Sequence, residues 1–342
     1  MNVVIIGASG IGKHHAKWFH LEGCHVTAFS GTSDASCRKT GQTLTDLFGF
    51  QGRTYTDYRR MLDFEKPDIV CICSPNEVHL EQTRYALEID SHVYCEKPVA
   101  WPDLATCKLS SHPPSESPEV THPILRQTLD KTRSVVALAD QRNRLFGMNA
   151  QYVAGREAYQ TIYEKHNGPM DDIESFYFLL ESKGVSGNYS SYEGIWIDMA
   201  PHALSQIIAL MPPGNLDMSH MDCRVKEDNT VARFRYGSGS IEAKVSKNAE
   251  SDMKRKFGVN GFLVDYYGQP DDQGVYCAFL RHGDDIVKTV DFMQLSVRRY
   301  IKAVRTGGTT PYVDGHAAVK NLEMSMIILE HAHADNRLTL KE

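Results

Sequence analysis

The first half of the chain alternates short apolar runs with longer segments of helical periodicity. The runs are rich in β-branched and aliphatic residues and cover 2–6, 25–29, 68–73 and 93–95. Between the last two runs, the segment 79–89 repeats apolar residues along one face of a helix. Strands that alternate with helices in this way form a parallel sheet covered on both faces. We therefore predict an α/β N-terminal domain with a doubly wound Rossmann sheet.

The second half of the chain has a different pattern, in which strand-like segments dominate. A helix-like stretch at 148–166 precedes an alternating segment that carries aromatic residues, DIESFYFLLES. Residues 217–295 then show successive strand-like runs, and the turn sequence RYGSGS is typical of a hairpin. We predict an α+β C-terminal domain with a mostly antiparallel open sheet.

The predicted boundary between the two domains follows one further apolar run. The run SVVALADQ, residues 134–141, is predicted to be a strand that leads out of the first domain. The chain then turns polar at 142–144. We expect two domains, over 1–142 and 143–342.

Composition excludes several classes of protein. With 342 residues, 42% of them hydrophobic, and a net charge of −6, the chain is long enough for two domains and has no basic footprint for nucleic acid. No apolar run approaches the length of a membrane span, and the N-terminus lacks the features of an export signal. The eight cysteines show no CxxC pair and no zinc spacing. A reduced, cytoplasmic protein with no bound metal is the expectation.

A glycine-rich turn follows the first predicted strand directly. The sequence GASGIG places Gly7 and Gly12 at the first and third glycine positions of the dinucleotide fingerprint, with Ser9 at the second and Gly10 beside it. A helix follows, so that backbone N–H groups from Ser9 to Gly12, including that of Ile11, could face a pyrophosphate. The strand–turn–helix context favours nucleotide binding over a simple tight turn.

The end of the second strand indicates which nicotinamide cofactor is bound. NAD-binding proteins place a carboxylate there for the ribose hydroxyls. This chain has Ser30, Thr32 and Ser33 instead, with Arg38 in the next helix. Hydroxyls near a cation suit a 2′-phosphate, so NADP(H) is favoured over NAD(H). The alternative is a solvated loop whose basic residues belong to the following helix.

Two more strand ends carry residues that bear chemistry or break the strand. The residues are Ser74, Pro75, Asn76, His79, Glu96, Lys97 and Pro98. In open α/β sheets, ligands bind at the carboxyl ends of the strands. Lys97 is therefore a candidate catalytic residue, and the alternative is a surface lysine beside a glutamate.

Asp198 and His202 form a possible acid/base pair in the second half. They are four residues apart in a segment of helical periodicity and so share one helix face. A carboxylate that orients an imidazole is a common arrangement in general acid/base catalysis. A hydrogen bond on a helix surface is the alternative.

Taken together, these motifs resemble the Gfo/Idh/MocA family of oxidoreductases, which includes glucose-fructose oxidoreductase and inositol dehydrogenase. The resemblance is carried by GASGIG, by D-I-V-C-I-C-S-P-N-x-x-H, by A-L-E-I-D-S-H-V-Y-C-E-K-P, and by the Asp-x-x-x-His helix. It implies an enzyme that transfers a hydride between NAD(P) and a carbinol or carbonyl carbon of a sugar, an inositol or a sugar-like molecule. It also implies a dinucleotide-binding Rossmann domain over 1–142, an α+β domain for substrate binding and oligomerisation over 143–342, and a homodimer or homotetramer.

The resemblance further implies roles for individual residues. Lys97, Asp198 and His202 are expected to be catalytic, with Lys97 on the substrate oxygen and His202 exchanging the proton. The residues expected near the cofactor are Gly7, Ser9, Gly10, Ile11, Gly12, Ser30, Thr32, Ser33, Arg38, Ser74, Pro75, Asn76, His79, Glu96 and Lys97. Candidate substrate contacts are Arg142, Tyr189 and Tyr192, although a charged linker and a polar loop explain them equally well.

Two other functions fit parts of the sequence. A ligand-sensing regulator could keep the nucleotide-binding fold without catalysis, but it would be expected to lose Lys97 or His202, and this chain has both. A short-chain dehydrogenase would need a Tyr-x-x-x-Lys pair, which the sequence lacks.

Overall fold

The structure is a computed structural model of the chain. It describes residues 1–103, 107, 109, 115, 117–183, 193–225, 229–248 and 253–339, with the backbone alone for 248 and 333–339.

The N-terminal part of the chain folds around a six-stranded, all-parallel sheet in the order β3-β2-β1-β4-β5-β6. Its strands are β1 (Asn2–Ile6), β2 (His25–Ser30), β3 (Arg53–Tyr55), β4 (Ile69–Ile72), β5 (His92–Glu96) and β6 (Phe146–Asn149). This strand order is that of the doubly wound dinucleotide-binding fold, with the topological switch between β1 and β4. The predicted fold class of the first domain is confirmed.

Helices connect these strands, as the alternating pattern predicts. They are α1 (Gly12–Leu21), α2 (Asp34–Phe48), α3 (Tyr58–Glu65), α4 (His79–Glu88) and α5 (Pro123–Gln141). The strands β1 and β4 are almost wholly buried, and Phe19, Phe29 and Leu44 fill the core between sheet and helices. Burial on both faces explains why the strands show continuous apolar runs instead of alternation.

The prediction of a strand at 134–141 is wrong, because this segment is the C-terminal half of α5. Its buried residues include Leu125, Leu129, Val136 and Ala139, whose spacing of three to four and seven residues is helical. The adjacent valines favoured a strand locally, but the longer periodicity decides the structure. The last strand is instead the short β6, which pairs with β5.

The C-terminal part folds around an eight-stranded sheet in the order β14-β13-β12-β11-β7-β10-β9-β8. The strands are β7 (Ser175–Lys183), β8 (Leu216–Val225), β9 (Asn229–Tyr236), β10 (Gly239–Asn248), β11 (Lys254–Val259), β12 (Phe262–Pro270), β13 (Tyr276–His282) and β14 (Asp285–Val290). The helices are α6 (Arg156–Asn167), α7 (Glu193–Leu210), α8 (Phe292–Thr306) and α9 (Gly315–Thr339). All strand pairs are antiparallel except β7 with β10, which confirms the predicted mostly antiparallel sheet.

The chain divides into two compact units whose limits are more complex than one boundary at residue 142. Unit 1 comprises Met1–Pro102, Thr128–Ala150 and Met293–Val319. Unit 2 comprises Asp103–Gln127, Gln151–Phe292 and Lys320–Glu342. The sequence pattern did not indicate this division, because β6 was not recognised and most of α8 returns to unit 1.

Among the helices in the described part of the chain, none combines the length and the apolar character needed to cross a lipid bilayer.

Candidate active site

The glycine turn between β1 and α1 cannot accept a side chain at two positions. Gly7 has φ +81°, and a Cβ added there would lie 2.8 Å from the carbonyl oxygen of Cys73. A Cβ added to Gly12 would lie 2.2 Å from the carbonyl oxygen of Gly7 itself. Both distances are far below contact, so close backbone packing requires glycine at each position.

The opposite side of the same turn is open. Gly10 has φ +54°, and a Cβ built on it meets no atom within 4 Å. Ser9, Gly10 and Ile11 are exposed, and the N–H of Gly12 donates to the carbonyl of Ser9 at 3.0 Å. Exposed backbone at the N-terminus of α1 is suited to a phosphate. These residues therefore fit the pyrophosphate of a nicotinamide dinucleotide.

The end of β2 lies beside this turn. The N–H of Gly7 donates to the carbonyl of Ser30 at 3.0 Å, and Ser30 is buried. Thr32, Ser33 and Arg38 are exposed. Ser33 caps α2, since its hydroxyl accepts a hydrogen bond from the N–H of Ser36. One of the predicted hydroxyls is therefore used within the fold, while Arg38 on α2 points to solvent.

The loop after β4 is fixed by two side chains on α4. The Ser74 hydroxyl donates to Oε1 of Gln82 at 2.6 Å. The His79 ring has Nε2 2.8 Å from the carbonyl of Ser74 and Nδ1 2.9 Å from the carbonyl of Pro98. Burial lowers the pKa of His79 despite these carbonyls, so its neutral ring donates to one of the two.

His79 is therefore a structural residue of the site, and its side chain is not available to a cofactor. The residue is only 1% exposed, and its ring lies between the loop after β4 and the residues after β5. Pro75 is exposed and Asn76 half-buried where a short 3-10 turn begins. These two remain candidates for cofactor contact.

Glu96, at the end of β5, is a buried carboxylate held by three donors. Its Oε1 lies 2.5 Å from Nε2 of His15 and 2.7 Å from Nδ2 of Asn149, and its Oε2 accepts from the N–H of Lys97 at 3.2 Å. Burial raises the pKa of Glu96, but the hydrogen bond and charge of His15, then the charge of Lys97, outweigh it. The pKa falls to about 2. Glu96 is thus ionised, and its carboxylate supports the backbone of Lys97.

His15 was not among the predicted site residues. It is fully buried on α1, and although burial lowers its pKa, the neighbouring Cys71 and Glu96 outweigh that effect and raise it. The signal in the sequence was a histidine at a core position of the helix that follows the glycine turn. A buried histidine needs a partner, and the carboxylate at the end of β5 is that partner.

Asn149 was missed because β6 was missed. It ends β6, donates to Glu96 and accepts a hydrogen bond from the Tyr94 hydroxyl at 3.0 Å. The amide therefore joins two neighbouring strand ends. Lys97 follows directly on β5 and is half-buried. The structure thus brings the glycine turn, the Ser74 loop and Lys97 together at the carboxyl edge of one sheet.

Within unit 2, Asp198 and His202 lie one turn apart on α7, as predicted. His202 is buried, and its ring centroid is 4.5 Å from that of Tyr152. Oδ2 of Asp198 is 3.6 Å from Nζ of Lys247, which extends from β10. Lys247 was not predicted, because a lysine in an alternating strand usually points to solvent.

Arg142 is not at the carboxyl edge of the sheet. Its guanidinium donates to the carbonyl of Glu88 at 3.1 Å and to Asp90 at 3.2 Å. These residues precede β5, so Arg142 lies at the amino edge, opposite Lys97, and does not support a substrate contact. The other two candidates, Tyr189 and Tyr192, lie outside the described residues.

Comparison with known proteins links the N-terminal part to one family. Residues 1–110 match the model of the oxidoreductase family with an NAD-binding Rossmann fold, GFO_IDH_MocA. D-glucoside 3-dehydrogenase from Escherichia coli is 36% identical over 102 residues, which cover 29% of this chain and 28% of that protein. Inositol 2-dehydrogenase/D-chiro-inositol 3-dehydrogenase from Shouchella clausii is 29% identical over 102 residues, with the same coverage of each chain.

A solved structure extends the similarity of the fold over both units. Levoglucosan dehydrogenase in complex with NADH and levoglucosan has a TM-score of 0.70 at 12% identity, with 97% of each chain covered. The sequence matches to the two curated relatives, in contrast, span little more than a quarter of their length. The family match thus covers residues 1–110 of this chain, and the similarity beyond them, at 12% identity, is one of fold.

Proposed function

We propose that this protein is an NAD(P)-dependent oxidoreductase that acts on a CH–OH group of a sugar, an inositol or a sugar-like molecule. The observation that carries the proposal is the arrangement at the carboxyl edge of the parallel sheet. The glycine cradle follows β1, and Lys97 follows β5, two strands away in the sheet. Neighbouring strands are about 4.8 Å apart, so this edge can serve both a pyrophosphate and a reacting group.

The residues of unit 1 bind and orient the reactants. The backbone of the glycine turn and the N-terminus of α1 hold the pyrophosphate. The nicotinamide, when bound, supplies the acceptor or donor for the hydride. Lys97 holds the substrate oxygen and stabilises the negative charge that develops on it. The buried Glu96, fixed by His15 and Asn149, positions the backbone of Lys97.

The proton is exchanged by His202. Its position one turn from Asp198 on α7 supports this role, since the acid can orient the imidazole. Nζ of Lys247, 3.6 Å from Oδ2 of Asp198, places a positive charge beside this carboxylate. The roles of Lys97 and His202 are carried over from the family motifs that this chain retains.

For the cofactor, we propose NADP(H) over NAD(H). The support is the absence of a carboxylate at the end of β2, where Ser30 is followed by Gly31. Arg38 is exposed on α2 and can pair with a 2′-phosphate. A homodimer or homotetramer stays a prediction, which light scattering of the purified protein checks.

The test of the function has a binding step and a turnover step. NADPH and NADH are titrated against the purified protein by nicotinamide fluorescence. A panel of sugars, inositols and nucleotide sugars is then scored with NADP⁺ and NAD⁺ by absorbance of the reduced nicotinamide. The proposal expects binding of NADPH and turnover of a polyol or sugar. A protein that binds neither nucleotide is not an oxidoreductase of this kind.

A further inference from the structure

An arginine in unit 2 lies among aromatic rings on the helix-facing side of the sheet. Arg255 of β11 pairs with Leu180 of β7, whose side chain is buried on this side. Phe257, two residues further along β11, is buried as well. Side chains two residues apart in a strand share a face. Arg255 therefore points to the side of the sheet that α7 covers, an unusual direction for an arginine.

The guanidinium lies over the rings of two tyrosines, one of which contacts His202. Cζ of Arg255 is 4.9 Å from the ring centroid of Tyr266 and 5.8 Å from that of Tyr152. The ring of Tyr152 in turn lies 4.5 Å from the ring of His202. Arg255 is half-buried, so part of the group remains accessible to a small molecule. A chain of contacts thus leads from the proposed proton-exchanging residue to a fixed positive charge.

This charge has no carboxylate partner among the described residues. No ion pair to Arg255 is formed in the described part of the chain, and its Nε is buried without a hydrogen-bond acceptor there. The faces of the two tyrosines attract a cation but do not satisfy its five N–H donors. Buried donors without an acceptor are rare in folded proteins, and a ligand is one of the explanations for them.

Other arginines of the same sheet are satisfied differently. Arg281 on β13 also stacks on a tyrosine, with Cζ 5.9 Å from the Tyr267 ring, but it pairs with Asp265 at 3.8 Å. Arg233 on β9 bonds Glu242 at 2.7 Å. Both alternate with buried neighbours and so point to the other face of the sheet. Arg255 differs from both in having no acid beside it among the described residues, and it lies on the side that carries His202.

We propose that Arg255 binds an anionic substituent, a carboxylate or a phosphate, of the molecule on which His202 acts. The planar guanidinium presents paired N–H donors that match either group. The guanidinium and the His202 ring are separated by at most about 10 Å. A sugar with one acidic substituent spans this distance, together with a hydrogen bond at each end. The inference rests on the proposed function, because it takes the reacting carbon to lie at His202.

The test compares sugars that differ only in charge. Glucose, glucuronate and glucose 6-phosphate are titrated into the full-length protein with NADP⁺ present, and Kd is measured by calorimetry. Wild type is expected to bind at least one acidic sugar about 10- to 100-fold more tightly than glucose. Which of the two acids binds more tightly distinguishes a carboxylate from a phosphate site. Equal affinity for all three sugars overturns the inference.

Two variants test whether the preference for an acidic sugar depends on Arg255. Arg255→Gln removes the charge and is expected to abolish the preference for the acidic sugar. Arg281→Gln removes an arginine that is also stacked on tyrosine, on the other face of the sheet, and is expected to leave the preference unchanged. An Arg255→Gln protein that still prefers the acid as wild type does contradicts the proposal. If Arg255→Gln does not fold, the wild-type comparison still decides.

Turnover, recorded separately, distinguishes the two proposals. Reduction of NADP⁺ or NAD⁺ by neutral sugars, with no preference for an acid in binding or rate, contradicts the role of Arg255 and supports the oxidoreductase activity. Arg255-dependent binding of an acidic sugar by a protein that turns over no substrate supports the anion site at Arg255 and contradicts the proposed oxidoreductase activity.

Discussion

Nε2 of His15 lies 2.5 Å from Oε1 of Glu96, and both side chains are buried. The two residues are 81 positions apart in the chain, one on the helix that follows the glycine turn and the other at the strand end that carries Lys97. The proposed cofactor cradle and the proposed catalytic lysine are thus connected through one ion pair. We expect the stability of the protein and the position of Lys97 to depend on this contact.

Replacing His15 by leucine leaves the Glu96 carboxylate buried with one partner fewer. Removing one member of a buried pair typically costs about 3–5 kcal/mol, and we expect His15→Leu to lower the free energy of unfolding in urea by that amount. His25→Leu, at an exposed position on β2, serves as the control and should change stability by about 0.5 kcal/mol or less. Equal effects of the two substitutions would show that the pair does not stabilise the fold.

The pH dependence of stability follows from the opposite shifts of the two groups. The pKa of Glu96 is lowered from 4.5 to about 2, so its contribution is present above pH 4.5 and is lost as the pH falls toward 2. The pKa of His15 is raised from 6.5, so its contribution is complete below pH 6.5 and is lost above the raised value. The stability difference between wild type and His15→Gln should be largest between pH 4.5 and 6.5.

Urea denaturation of these two proteins from pH 4.5 to pH 9 measures this difference. It is expected to decline toward the alkaline end, because His15 loses its proton there. A difference that is constant over the whole range means that His15 is neutral in the folded protein.

Alanine should weaken cofactor binding far more on one side of the glycine turn than on the other. At Gly12 a methyl group would meet the carbonyl of Gly7 at 2.2 Å, so Gly12→Ala must displace the turn. At Gly10 the space is open, and alanine adds only the strain of φ +54°, about 1–2 kcal/mol. We expect the Kd of NADPH to rise about 100-fold or more in Gly12→Ala and about 10-fold or less in Gly10→Ala. Fluorescence titration measures both, and the reverse order would exclude this turn as the pyrophosphate site.

The choice of cofactor depends on Arg38. Arg38→Gln removes the cation proposed to pair with the 2′-phosphate and should raise the Kd of NADPH about 10-fold, with the Kd of NADH unchanged. Lys39→Gln, at the next exposed position of α2, is the matched control. If NADPH and NADH are affected equally, or if Lys39 has the larger effect, the preference for NADP(H) has another origin.

The sequence indicated those parts of the candidate site that depend on local chemistry. Gly7 and Gly12 were recognisable because a tight turn between a strand and a helix demands glycine at fixed positions. Lys97 was recognisable because it follows a buried strand, and parallel strands end at the same edge. Asp198 and His202 were recognisable because residues four apart share a helix face.

Features that depend on distant partners were not predictable in this way. The role of His79 as a bridge between two carbonyls arises only when the loops after β4 and β5 are placed side by side. The four residues of β6 are too short for a pattern, and the valine pair in α5 offered a stronger false signal. The sequence does not single out Arg255, because its proposed role depends on which face of β11 it occupies.

The most direct test of the account is the effect of Lys97→Met on hydride transfer. Methionine keeps most of the side-chain length and removes only the charge that is proposed to hold the substrate oxygen. With the best substrate found in the panel, kcat/KM should fall about 100- to 1,000-fold, while the Kd of NADPH should change little. Lys131→Met, on the exposed surface of α5, should behave as wild type. Undiminished turnover in Lys97→Met would contradict the central claim that the lysine after β5 acts on the substrate.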